Sequence, residues 1–176
     1  DILGLDFFSV AFELLKATGA DALEAAGKNA GCWVMPLEGT PEFAGLEDPD
    51  KVIVRSDGTV TYVGKDIANQ FWKFGLLGKD FYYRVFDRHG DHVLWATTTK
   101  PGDAEGLPKF GQAATVFNVI DSRQSYLQQL LKQALAVAGH PEAARLHTHF
   151  SYEMVALSHA TARELGFAPA PGSEEA

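Results

Sequence analysis

Residues 54–70 read VRSDGTVTYVGKDIANQ, and how this stretch folds decides the architecture around it. It reads as a strand, a tight turn at Ser56-Asp57-Gly58, a second strand, and then a helix that opens with a carboxylate at Asp66. β-branched residues fill both runs, and Asp-Gly supplies the positive φ that hairpin turns require. In the helix, Ile67, Phe71 and Phe74 fall on one apolar stripe. Tyr62 and Asp66 are thus expected where a strand hands over to a helix. In α/β sheets, ligands sit outside the carboxyl ends of the strands.

Upstream, Phe7, Phe8, Ala11, Leu14 and Leu15 are spaced as a helix that stops at Gly19. AGCWVMPL reads as a short strand, and residues 38–50 as a loop rich in Gly, Pro and acids. Downstream, FYYRVF and HVLWATTT read as strands around the turn DRHGD, followed by the loop KPGDAEGLPKFGQ. ATVFNVI has the apolar composition of a buried parallel strand. DSRQSYLQQLLKQALAVAG reads as an amphipathic helix. It turns Tyr126, Leu127, Leu130, Leu131, Ala134 and Leu135 inward and ends at Gly139-His140-Pro141. LHTHFSYEMVAL is a further strand, SHATARELG a short helix capped by Ser158, and APAPGSEEA a mobile tail. Strand–helix–strand order over 115–157 is a βαβ unit with a right-handed crossover. The expected class is α/β, mostly parallel with antiparallel hairpin additions. The junctions at Tyr62–Asp66 and Asp121–Gln124 lie together if their strands share a sheet.

The 176 residues, 46% hydrophobic and 22% charged, suit one globular domain. A net charge of −8 repels phosphate backbones on average, so any nucleic-acid contact needs a local patch or further protein. The single cysteine, Cys32, excludes an intrachain disulfide and reads as a small hydrophobe. No apolar run is long enough to span a bilayer. The chain opens on DILGLDFF, without methionine, as an excised segment would.

GLPKFGQA has the glycine spacing of a phosphate loop, but Gln112 and Ala113 stand where Lys and a hydroxyl belong. His147 and His149 share a strand face, and His89 and His92 flank Asp91, yet neither set has a recognised zinc spacing. No bound metal is expected. Tyr62, Asp66 and Gln124 each have an ordinary structural role. Converging, they could hold a guanidinium, which wants a carboxylate, an amide oxygen and an aromatic neighbour.

GKNAGCWVM, KVIVRSDGTVTYVGKDIANQFWKF, LWATTT, VFNVIDSRQSYLQQLLKQAL and HFSYEMVAL, in this order, resemble the middle of the catalytic domain of the arginyl-tRNA synthetases, class I aminoacyl-tRNA synthetases. The resemblance runs from about Asp1 to Leu165. It implies the second part of a Rossmann-type domain over 1–167, with 168–176 as a tail. It also implies arginine binding by Tyr62, Asp66 and Gln124. The adenine edge would be read by the backbone at Met154 and Val155, with Tyr152 nearby. The ribose carboxylate has moved to Asp121 or been lost. The partners implied are L-arginine, ATP with Mg, and tRNA-Arg through domains beyond this sequence, in cytoplasmic protein biosynthesis.

Neither the His-Ile-Gly-His signature nor the Lys-Met-Ser-Lys-Ser loop occurs in the sequence. The resemblance therefore implies an arginine–tRNA ligase segment that is inactive alone. Two other readings stay open: a non-catalytic arginine-binding or interaction module, and an unrelated nucleotide-binding α/β domain.

Overall fold

A computed structural model describes residues 5–37, 40–44, 50–101, 107 and 110–167. In chain order the elements are α1 (Leu5–Ala17), β1 (Ala22–Leu23), β2 (Trp33–Pro36), a 3-10 turn (Pro41–Phe43), β3 (Asp50–Val54), α2 (Tyr62–Lys73), β4 (Tyr82–His89) and β5 (His92–Thr98). Then come β6 (Val116–Asp121), a 3-10 turn (Ser122–Gln124), α3 (Ser125–Val137), α4 (Pro141–Arg145), β7 (His147–Tyr152) and α5 (His159–Glu164). Parts of the two expected loops and the expected tail lie outside the described residues, as does the side chain of Phe7. No helix among the described residues is long and apolar enough to cross a membrane.

The turn at 56–58 forms as its residues dictate. Gly58 has φ 83°, the Asp57 carboxylate accepts the Thr59 N–H at 2.8 Å, and Val54 bridges Val60. The second strand of the expected hairpin goes no further than that bridge, because Thr61 starts a helix instead. Its side-chain oxygen accepts the Gly64 N–H at 3.3 Å, the N-cap arrangement. The same hydroxyl reaches the carbonyl oxygens of Val52 and Ile53, at 3.1 and 3.0 Å. The Thr61 N–H also donates to Ile53 O, at 3.0 Å. α2 therefore begins at Tyr62, and Asp66 lies in its second turn rather than at its start.

Gly64 lets this helix lie close against β3. A Cβ there would come within 3.0 Å of the Phe8 ring and 3.1 Å of Ile53 O. The apolar face of α2, Val63, Ile67, Ala68 and Phe71, enters a core shared with Ala11 and Leu15 of α1, Ile53 of β3, and Leu130 and Leu135 of α3. Burying one such large side chain is worth about 1.5–3 kcal/mol.

The strands form three small sheets rather than one: antiparallel β1-β2-β3, antiparallel β4-β5, and the parallel pair β6-β7. β3 and β6 therefore do not share a sheet, and the two strand-to-helix junctions are not neighbours on one rim. The molecule is a mixed α/β fold in which, among the described residues, parallel pairing is confined to β6-β7. β6 is parallel, as expected, but not buried: Phe117 and Val119 are 63% and 65% exposed. A parallel sheet is normally covered on both faces. Here α3 packs against β7 from one side, and among the described residues the face bearing Phe117 and Val119 has no cover. β7 ends at Tyr152, which pairs with Asp121 at the end of β6. Residues 153–157, expected to continue the strand, have no ladder partner and are irregular.

Asp21, just after α1, is 6% exposed, and neither carboxylate oxygen has a hydrogen-bond partner among the described residues. Burial pushes its pKa up to about 7 from 3.8. A carboxyl raised in the folded state favours folding in its protonated form. That contribution is complete below about pH 4 and is lost as pH rises through about 7. Urea unfolding of Asp21→Asn should show a stability gain over the parent that is small at pH 4 and grows to on the order of 4 kcal/mol by pH 8. An equal difference at both pH values would contradict the raised carboxyl.

Candidate functional site

Tyr62, Asp66 and the group Asp121, Tyr152, Met154 and Val155 border three different cavities, and Gln124 borders none of the three. Tyr62 and Asp66 are four residues apart on α2, so they stack on successive turns of one face. Tyr62 is exposed and borders a cavity of about 520 Å³ beside the 56–58 turn, with Lys51, Arg55 and Thr61. Asp66 is half-buried and borders a crevice of about 280 Å³ between α2, β6 and α3. Gln124 is exposed at the N-cap of α3, apart from this crevice. The expected convergence of Tyr62, Asp66 and Gln124 in one cavity is therefore not present. The expectation rests on β3 and β6 sharing one sheet, and they belong to different ones.

The amides that do face the Asp66 crevice are Asn69, Gln70, Asn118 and Gln128. Asn118 lies in the middle of β6. Its Oδ1 accepts from Lys73 Nζ at 3.0 Å, and its Nδ2 donates to Gln128 Oε1 at 2.8 Å and to Gln70 Oε1 at 3.3 Å. These partners fix which way round the amide sits. Gln70 is 1% exposed, and its Nε2 has no partner among the described residues. His147, at the start of β7, is also buried, and neither ring nitrogen has a partner among the described residues. Burial lowers its pKa to about 4, so it is neutral at neutral pH. Burial pushes the Asp66 carboxyl up from its ordinary value, and the Lys73 charge partly offsets this. Lys73 moves the opposite way, lowered by burial and partly restored by Asp66.

Sequence reading missed these amides because Gln and Asn on helices and strands read as solvated. The available signal was position. Asn118 interrupts the apolar run VFNVI, and Gln70 falls on the stripe of Val63, Ile67 and Phe71.

The third cavity, about 620 Å³, lies where β6 and β7 end together. Asp121, Tyr152, Met154 and Val155 all line it, along with Arg123 and Glu153. The structure thus gathers all four residues expected on the adenosine side. The side chains of Met154 and Val155 point largely into solvent. Asp121 is engaged: Arg123 donates from Nε to Oδ1 at 2.8 Å and from a terminal nitrogen to Oδ2 at 2.9 Å. The Arg123 N–H adds a third bond, also 2.8 Å. These bonds hold the Asp121 pKa down at about 2. Among the described residues, no group of three or more His, Cys, Asp or Glu side chains is placed to hold a metal ion.

No family model matches the chain. It is 40% identical over 159 residues to the arginine–tRNA ligase of Deinococcus radiodurans, covering 89% of this chain and 25% of that protein. The corresponding figures for the arginine–tRNA ligase of Thermococcus sibiricus are 38% over 156 residues, 88% and 23%. The solved arginyl-tRNA synthetase of Thermus thermophilus superposes with a TM-score of 0.71 at 37% identity, over 87% of this chain and 25% of that one. The chain corresponds in sequence and fold to a segment of the arginine–tRNA ligases. It spans about a quarter of the length of the curated relatives it matches.

The Asp121–Arg123 pairing has a direct test. In Arg123→Gln the guanidinium bonds are gone, and the Asp121 carboxyl, followed by ¹³C NMR, should titrate well above its parent midpoint of about 2. An unchanged midpoint would show that Arg123 is not its partner.

Proposed function

We propose that this chain supplies arginine selection and one wall of the adenosine pocket in an arginine–tRNA ligase. On this reading residues 1–167 are the second part of a class I Rossmann-type catalytic domain, and 168–176 are its tail. The observation that carries the proposal is the 38–40% identity to arginine–tRNA ligases over most of the chain. Two features of the geometry support it: a half-buried carboxylate in an amide-lined crevice, and a cavity at the ends of β6 and β7.

In this reading Asp66 is the charge partner of the substrate guanidinium, with the Tyr62 ring one turn away on the same helix. Gln124 approaches from the start of α3 only if the substrate, or protein beyond this chain, draws the 3-10 turn at Ser122–Gln124 toward α2. A planar guanidinium can bond a carboxylate through two N–H groups and still donate to an amide oxygen. A lysine ammonium is a compact point charge without that geometry, and this is the basis for preferring arginine. Tyr152 and the backbone at Met154 and Val155 take the adenine, and Asp121 the ribose once Arg123 releases it.

ATP is a substrate in this scheme. The arginine carboxylate attacks the α-phosphate to give arginyl-adenylate and pyrophosphate, and the arginyl group then passes to the terminal ribose of tRNA-Arg. Positioning and phosphate charge stabilisation govern the first step. The signatures that would supply the phosphate contacts do not occur in this sequence, so those contacts come from protein beyond it.

Calorimetric titration of the chain with arginine, lysine and ATP tests both pockets. Arginine should bind and lysine should bind far more weakly; equal binding of the two would refute the clamp. In a full-length ligase carrying this segment, Asp66→Asn should raise the arginine KM by ~30-fold or more and leave the ATP KM nearly unchanged, since losing one partner of a buried charge pair costs about 2–5 kcal/mol. Equal effects on both constants would count against the assignment. The chain alone should show no arginine-dependent pyrophosphate exchange, and measurable exchange would overturn the division of labour.

A further inference from the structure

The crevice between α2, β6 and α3 holds a cation of its own. Lys73 is seven residues after Asp66, two turns along the same helix face, about 10 Å along the axis. Side chains on a helix lean toward its N-terminus, so the Lys73 stem leans back toward Asp66. Its position is fixed at both ends. The Lys73 carbonyl accepts the Ala113 N–H at 2.8 Å, on the lead-in to β6, and its ammonium donates to Asn118 Oδ1 at 3.0 Å, on β6 itself. Asn118 cannot turn away without losing its bonds to Gln70 and Gln128. Lys73 and Asp66 line the same crevice.

We propose that Lys73, locked in place by Asn118, is the positioning residue of this crevice: its fixed ammonium favours the ionised form of Asp66, the form a cationic ligand needs. The choice of arginine as that ligand rests on the function proposed above; the action of Lys73 on Asp66 does not.

The electrostatic surroundings leave few other groups for this task. On α2, Lys65 is exposed, one residue before Asp66. From β6 and α3 the facing polar groups are the neutral amides of Asn118 and Gln128. From β7 the titratable groups on this side are His147, held neutral by burial, and His149, whose ring nitrogen bonds Ile120 O at 3.0 Å. Desolvation favours the protonated form of Asp66, and Lys73 is the charge that opposes it. A lysine that only tethered α2 to β6 would affect stability when replaced. It would not alter the titration of a carboxyl two turns away.

The test is a ¹³C NMR titration of the Asp66 carboxyl in the 176-residue chain and in Lys73→Met, Lys73→Arg and Asn118→Ala, with amide spectra to establish that each is folded. The Asp66 midpoint should move to higher pH in Lys73→Met, which keeps the apolar stem and loses the charge. It should stay near the parent value in Lys73→Arg and rise by less in Asn118→Ala, where the ammonium is present but unanchored. A folded Lys73→Met with an unchanged midpoint overturns the proposal. If Lys73→Met does not fold, Asn118→Ala decides: a raised midpoint supports the proposal and an unchanged one overturns it. Arginine titration across the same pH range separates this inference from the function it serves. If arginine affinity falls on the acid side and that limb moves with the NMR midpoint, both stand. If the midpoint moves as described but arginine affinity ignores it, the arginine role of Asp66 fails while the role of Lys73 holds.

Discussion

A single hydroxyl, that of Thr61, joins the two halves of the architecture around the candidate site. It caps α2 by accepting from Gly64 and donates toward the carbonyls of Val52 and Ile53, so strand and helix are fastened at one atom. An N-cap of this kind is worth about 1 kcal/mol, but its geometric effect matters more here. It sets where α2 starts and therefore which way each of its side chains faces. With the start at Tyr62, the buried face runs through Val63, Ile67 and Phe71, and Asp66, Asn69 and Lys73 are left along the crevice toward β6.

The crevice itself is a case of buried polar groups arranged around a charge. Asn118 is the hub: one amide satisfies a lysine and two glutamines. Networks of this kind are costly if incomplete and rigid when satisfied. This one is nearly complete, with the Gln70 donor left unpartnered among the described residues. The cavity at the ends of β6 and β7 is built differently. Among the described residues it has no buried network; it takes its shape from two strands that end together, with an ion pair between Asp121 and Arg123 at the rim.

Much of this was legible in the residues. The 56–58 turn, the buried stripe of α2, the β4-β5 hairpin, α3 with its stop at Gly139, and the Ser158 cap all follow from local chemistry, and the structure contains each of them. So does the parallel pairing of β6 with β7. Three things were not legible. Thr59 and Val60 have the composition of a strand, and only the Thr61 bonds to β3 show that the helix begins early. Nothing local specifies that β3 and β6 belong to separate sheets, and the expected meeting of Gln124 with Asp66 depended on their sharing one. The exposure of Phe117 and Val119 reflects what lies next to β6 in space, which an apolar run cannot report.

The strand-to-helix joint also bears on the order of assembly. Every bond that defines it links residues within a dozen positions of one another, from Val52 to Gly64. Such short loops close in well under a microsecond, and their closure entropy is small. The β6–β7 ladder instead pairs Val116 with His147 across the whole of α3 and α4. Contacts of that sequence separation form late, after the intervening helices have shortened the search. The folding nucleus is therefore expected around residues 50–74, with the Asp66 crevice closing only when the parallel pair arrives.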